Sequence, residues 1–172
     1  MSRLRQVLAL EAGKVVADVG AGKGGLTVAL AREVGSKGRV FSTDIDPGRL
    51  QRLREAAAAA GLGNVTVLEG RSGETGLPPN CCDAIVLRRV YHHLTEPSAT
   101  NASLLRALRP GGVLAVIDFP PPFFLGRGGF GVPMQSVSRE VTGSGFELHR
   151  LIDDWPGRGP LGSYCVVFRK PQ

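Results

Sequence analysis

Val15-Val16-Ala17-Asp18-Val19-Gly20-Ala21-Gly22-Lys23-Gly24-Gly25 sets a valine-rich run directly against a cluster of glycines. The run reads as a strand buried on both faces. The glycines after it let the backbone bend sharply and let a ligand approach with no Cβ in the way. From Leu26 the pattern turns helical, so free N–H groups at the helix start face the turn, where they suit a carboxylate. Strand, glycine turn and helix start together predict a nucleoside-cofactor site. Gly20, Gly22 and Gly25 also satisfy the dinucleotide fingerprint G-x-G-x-x-G, so the turn alone leaves the cofactor open.

Outward from this turn, short apolar runs alternate with helical patterns, as in a βαβ succession under a buried parallel sheet. Strands are predicted at 15–19, 40–43, 65–68, 84–87 and 113–119, and helices at 26–34, 47–60 and 97–108. The second helix has Pro47 in its first turn after Asp46, an alanine run, and Gly61 as a stop. The third ends at Arg109-Pro110-Gly111-Gly112, where proline and two glycines force a turn into the next strand. Phe119-Pro120-Pro121-Pro122 opens a surface loop running to about Gly131. A helix at 133–142 then precedes strands at 146–152 and 164–168, whose connection is too short for a crossover helix, so they pair antiparallel. The expectation is an α/β chain with a mostly parallel sheet and one reversed strand, residues 1–172 forming a single domain with a short amino-terminal cap.

A chain of 172 residues buries roughly 70% of its unfolded surface, enough for one sizeable core. Hydrophobic residues at 42% and charged residues at 21% match a folded soluble domain and exclude a disordered one. Cys81, Cys82 and Cys165 are odd in number and include an adjacent pair, a poor disulfide framework, so a reducing, cytoplasmic setting is expected. Glu11 interrupts the amino terminus before any secretory core forms, and Asp118 with three prolines breaks the longest apolar stretch, so neither export nor a membrane span is expected. The net charge of +6 comes from arginines scattered along the chain, which favours a solvated basic surface over a nucleic-acid interface.

Phe41-Ser42-Thr43-Asp44-Ile45-Asp46 closes the second strand beside the glycine turn. A carboxylate there offers two oxygens to ribose hydroxyls, and Asp44 is assigned that role, with Ile45 against an adenine face. Asp46 is assigned to capping the helix at Pro47.

Four segments together resemble the class I S-adenosylmethionine-dependent methyltransferases over nearly the whole chain. They are 16–24, with an acidic residue two before the first glycine; Thr43-Asp44-Ile45-Asp46; Asp83-Ala84-Ile85-Val86-Leu87 followed by Val90-Tyr91-His92-His93-Leu94; and Leu108-Arg109-Pro110-Gly111-Gly112. The resemblance implies a Rossmann-like doubly wound seven-stranded sheet, order 3-2-1-4-5-7-6, with a reversed last strand, and S-adenosyl-L-methionine as cofactor. It implies that Asp18, Gly20, Ala21 and Gly22 face the methionine part, Asp44 the ribose and Ile45 the adenine, with Leu87 and Arg88 under the methionine and sulfonium. The family often carries an acidic adenine acceptor after the third strand, but here Glu69-Gly70 leads to Arg71-Ser72. Arg71 cannot accept a hydrogen bond, so backbone groups of Gly70, Arg71 and Ser72, or stacking by Arg71, take that task.

Tyr91 and His92 follow the fourth strand near the expected methyl position, and His92 is the candidate base where the acceptor must lose a proton. The alternative is a short helical turn with one histidine packed inside, since no acid partner is assignable from the sequence. Asp118-Phe119-Pro120-Pro121 has an extra phenylalanine relative to the Asp-Pro-Pro-Tyr motif of amino-nitrogen nucleic-acid methyltransferases, and the match is discarded. The cysteines and His149 lack metal-ligand spacing, so no metal site is expected. Trp155 lines a substrate mouth or acts as a lid over the sheet edge.

The leading expectation is a methyltransferase with a small-molecule acceptor. The short amino-terminal segment leaves the substrate side open, to be closed by loops at 120–131 and 157–162, by a macromolecular acceptor, or by a partner copy completing the pocket. The alternatives are an RNA or protein methyltransferase, a non-catalytic S-adenosylmethionine-binding module, and a nicotinamide-dependent oxidoreductase suggested by the glycine spacing alone.

Overall fold

The structure is a computed structural model that describes residues 1–121, 131–157 and 162–172. A helix α1, Ser2–Val7, precedes strand β1, Val15–Val19. Then come α2, Gly25–Val34; β2, Arg39–Asp44; α3, Pro47–Ala59; β3, Val65–Glu69; β4, Cys82–Arg88; α4, Pro97–Ala107; β5, Leu108–Asp118; α5, Met134–Thr142; β6, Glu147–Trp155; and β7, Ser163–Arg169. The seven strands form one sheet in the order β3-β2-β1-β4-β5-β7-β6. β1 to β5 pair in parallel, and β7 runs antiparallel to both β5 and β6. This is the expected Rossmann-like order with its reversed last strand.

Alternation along the central strands builds two cores from one sheet. Ala17, Ile85, Leu114 and Phe168 pack on the face covered by α4 and α5. Their neighbours Val16, Val86, Ala115 and Val167 pack on the face covered by α1 and α2. On α2 the buried residues Leu26, Leu30 and Val34 fall at every fourth position, one stripe of the helix, and each contributes about 1.5–3 kcal/mol of burial. Asp46 caps α3 as expected, its carboxylate accepting from Arg49 N–H at 2.7 Å with Pro47 in the first turn.

The strand boundaries differ where turn chemistry is overridden by pairing. The Arg109-Pro110-Gly111-Gly112 turn lies inside β5, because Leu108 already pairs with Cys82 while Val113 pairs with Ala84, so the intervening residues bulge. Gly111 N–H donates to Lys170 O at 2.9 Å, which anchors that bulge to the chain beyond β7. Helix α1 carries no strong sequence signal; Leu4, Leu8 and Leu10 hold this segment by burial against the α2 side. The loops expected at 120–131 and 157–162 lie largely outside the described residues. Among the described residues no helix is long and apolar enough to cross a membrane.

Candidate functional site

Parallel strands bring their carboxyl ends to one edge, and the glycine turn lies on it beside β2. Gly20 and Ala21 donate their N–H groups to Thr43 O at 2.8 and 3.0 Å, fastening the turn to β2. Gly20 has φ +71°, and a Cβ there would lie 2.5 Å from Val90 Cγ2, so only glycine fits. Gly22 donates its N–H to Asp44 Oδ2 at 3.0 Å, while Asp44 Oδ1 accepts from Ile45 N–H at 2.9 Å and Asp46 N–H at 3.1 Å. Three donors occupy three of roughly four lone-pair sites on this carboxylate, which leaves acceptor capacity on Oδ2.

Asp44 borders a cavity of about 480 Å³. The same cavity is lined by Gly20, Gly22, Ile45, Gly70, Arg71 and Ser72, so the structure brings together seven of the residues singled out in the sequence. Ile45 is 64% exposed, an apolar side chain on a wall with no protein group over it to that extent, and it suits the face of a nucleobase. Arg71 and Glu74 exchange backbone hydrogen bonds of 2.7 and 3.0 Å, which folds residues 70–75 into a tight turn with its backbone at the cavity. Glu74 accepts from Ser103 Oγ at 2.6 Å, and both of its carboxylate oxygens accept from Arg106 Nη2, at 2.7 and 2.6 Å; Ser103 first and Arg106 second hold its carboxyl below the usual range. A glycine cradle, a carboxylate with spare acceptor capacity and an exposed apolar wall fit a ribose and its base.

Asp18 lies beneath the turn, 2% exposed, accepting from Thr27 Oγ1 at 2.7 Å. Burial pushes its carboxyl up to about 6, while Thr27 and then the Arg88 charge pull it down. Leu87 is fully buried in the core. Arg88 is exposed and lines a second cavity of about 580 Å³ on the α2 side of the edge. Ala21 touches the site through its backbone bond to Thr43.

After β4 the chain makes one 3-10 turn, Tyr91–His93. Tyr91 is buried; its hydroxyl accepts from Asn101 Nδ2 at 2.9 Å and donates to Glu140 Oε2 at 3.1 Å, so the structure places it among α4 and α5 and outside both cavities. Burial raises its phenol well above the usual range. His92 Nδ1 lies 2.8 and 3.1 Å from the two oxygens of Asp118, which is itself fully buried. His92 N–H and Phe119 N–H also donate to that carboxylate, at 3.3 and 3.0 Å. An ionised carboxylate only accepts, which puts the proton on Nδ1 and the lone pair on Nε2. His93 lies against His92, with ring centroids 3.9 Å apart and the planes tilted by 44°, and lines the first cavity, which His92 does not; burial lowers the pKa of His93.

Sequence reasoning missed Asp118 as a site residue, as well as Val90, Arg89 and Glu74. Asp118 had a signal: it closes β5, and the pairing of Arg88 with Ile117 brings this last residue of β5 alongside the residues after β4.

A family model described as a methyltransferase domain matches residues 10–137. A ubiquinone/menaquinone biosynthesis C-methyltransferase UbiE from Marinomonas sp. is 35% identical over 114 residues, 66% of this chain and 45% of that protein. Its counterpart from Vibrio vulnificus is 34% identical over 113 residues, 65% of this chain and 44% of that protein. The matches thus take in less than half the length of these curated relatives. Among solved structures, an S-adenosylmethionine-dependent methyltransferase from Aquifex aeolicus superposes with a TM-score of 0.83 at 26% identity, covering 98% of this chain and 88% of that one. The reversed β7 between β5 and β6 also departs from the all-parallel dinucleotide-binding sheet. The chain belongs to the class I S-adenosylmethionine-dependent methyltransferase family.

Proposed function

We propose that this chain transfers a methyl group from S-adenosylmethionine to a small-molecule acceptor. The observation that carries the reading is the Asp44 carboxylate, held between Gly22 and Ile45 with acceptor capacity directed at the first cavity. Asp44 takes the ribose hydroxyls, Ile45 covers one face of the adenine, and the backbone of Gly70, Arg71 and Ser72 reads its edge. The glycine turn gives the methionine part a close approach to the backbone. S-adenosylmethionine supplies an electrophilic methyl on a sulfonium, whose displacement leaves a neutral thioether.

Alignment of the nucleophile can supply much of the acceleration for such a displacement. Where the acceptor must lose a proton, His92 accepts it at Nε2, and Asp118 positions His92 by holding Nδ1–H and stabilises the imidazolium that forms. Tyr91 takes no part, its hydroxyl being bound by Asn101 and Glu140. The curated relatives are named as C-methyltransferases of ubiquinone and menaquinone biosynthesis, which supports the small-molecule class. An adjacent cysteine pair with an odd third goes with a cytoplasmic setting. The test is incubation of the chain with methyl-labelled S-adenosylmethionine and a cell extract, followed by fractionation. Label in the small-molecule fraction is expected; label confined to RNA or protein contradicts the reading.

A further inference from the structure

Two cavities open on the carboxyl edge of the sheet, and Arg89 is the one described residue that lines both. The first holds the ribose carboxylate Asp44. The second, about 580 Å³, has Arg3, Arg88 and Arg89 in its wall together with Leu26, Ile117 and Trp155, and its described lining includes no acidic side chain. Arg3 pairs with Asp154 at 2.8 Å, with its guanidinium 5.4 Å from the centre of the Trp155 ring. The cavity is therefore apolar on one side and cationic on the side that meets the cofactor cavity.

Consecutive strand residues point to opposite faces, yet Arg88 and Arg89 both reach this cavity. The backbone explains it: Arg89 has φ +60°, a left-handed conformation that a non-glycine residue rarely adopts and that ends β4 abruptly. Its N–H donates to Ile117 O at 2.8 Å, so the conformation is fixed from β5. The Arg89 guanidinium lies 5.7 Å from the centre of the Phe119 ring, which in turn lies 4.9 Å from the His92 ring. Arg89 thus stands where the two cavities meet and within one aromatic ring of the His92–Asp118 pair.

We propose that the second cavity is the acceptor site and that it selects an acceptor carrying a carboxylate on an apolar or aromatic body, an assignment that rests on the methyltransferase reading above. Arg88 and Arg89 take the carboxylate, for which the guanidinium fork offers paired donors, while Trp155, Leu26 and Ile117 take the body. A carboxylate makes charge-assisted hydrogen bonds to these guanidinium groups that a neutral body of the same shape does not. The selectivity therefore resides in the acceptor's charge.

The probe pair is 3-(4-hydroxyphenyl)propanoate and its neutral amide, titrated into the full chain saturated with S-adenosylhomocysteine. Trp155 is the only tryptophan, so its fluorescence reports on this wall alone. The carboxylate is expected to bind about tenfold or more tightly than the amide, and Arg89→Gln or Arg88→Gln to shrink that preference to about threefold or less. Equal binding of the two probes, binding of neither, or a preference that survives in both variants overturns the proposal. So does a loss of S-adenosylhomocysteine affinity matching the loss for the carboxylate, which would assign the arginines to the cofactor's own carboxylate. A wild-type chain that binds the carboxylate probe selectively but not S-adenosylhomocysteine upholds this cavity and overturns the donor reading instead.

Discussion

His92 Nδ1 lies 2.8 Å from Asp118 Oδ1, joining the turn after β4 to the end of β5 through two side chains almost wholly shut off from water. A histidine so held presents a fixed tautomer, the arrangement expected of a base oriented by an acid. Asp118→Asn is expected to lower kcat for a proton-losing acceptor by about 10²–10⁴-fold and to alter the pH profile of kcat, with KM changing far less. His92→Gln is expected to give a similar loss. Folded variants that keep kcat and its pH dependence would assign the pair to packing.

Asp44 and Asp46 are two residues apart and do separable work. Asp44→Ala removes the acceptor for three backbone N–H groups and, on the proposed reading, for the ribose, and is expected to weaken S-adenosylhomocysteine about tenfold or more by calorimetry. Asp46→Ala removes only the cap of α3, and is expected to cost about 1 kcal/mol of stability with cofactor affinity unchanged. An Asp44→Ala chain that binds as tightly as wild type would refute the ribose assignment.

Gly20→Ala meets two obstacles, a left-handed φ of +71° and the Val90 side chain 2.5 Å from the new Cβ. The conformation costs about 1–2 kcal/mol and the overlap a further 1–3 kcal/mol. Val90→Ala in the same chain is expected to recover only the overlap share. Denaturant midpoints of the single and double variants measure both parts, and full recovery would show that the turn is not conformationally restricted.

Asp18 gives the fold a pH signature. Its folded-state pKa near 6 exceeds the ordinary 3.8, so the folded chain holds the proton more tightly than the unfolded chain. Its contribution is fully present below about pH 4 and is lost as pH rises through about 6, a fall on the order of 3 kcal/mol. Asp18→Asn keeps an acceptor for Thr27 and is expected to abolish that slope in urea midpoints measured between roughly pH 4 and 7. A slope unchanged by the substitution would place its origin elsewhere.

That the glycine turn and Asp44 meet at one cavity was readable because each part is local. The buried strand 15–19, the left-handed glycines and an acid closing β2 lie within about thirty residues, and backbone chemistry there dictates residue type. Asp46 as a cap was legible for the same reason. Asp118 was not, because its partner lies 26 residues away and meets it only through the parallel pairing of β4 with β5. The reach of Arg89 into two cavities depends on a φ that no composition rule assigns to arginine. The Pro110-Gly111-Gly112 segment misled in a different way: its turn chemistry is real, but pairing at Leu108 and with Lys170 draws it into the strand.

Calorimetry of the chain against S-adenosylmethionine, S-adenosylhomocysteine and NAD tests the account most directly. It predicts saturable binding of the first two, weakened together in Asp44→Ala, and no heat with NAD. Tight binding of NAD with no response to the other two would contradict it.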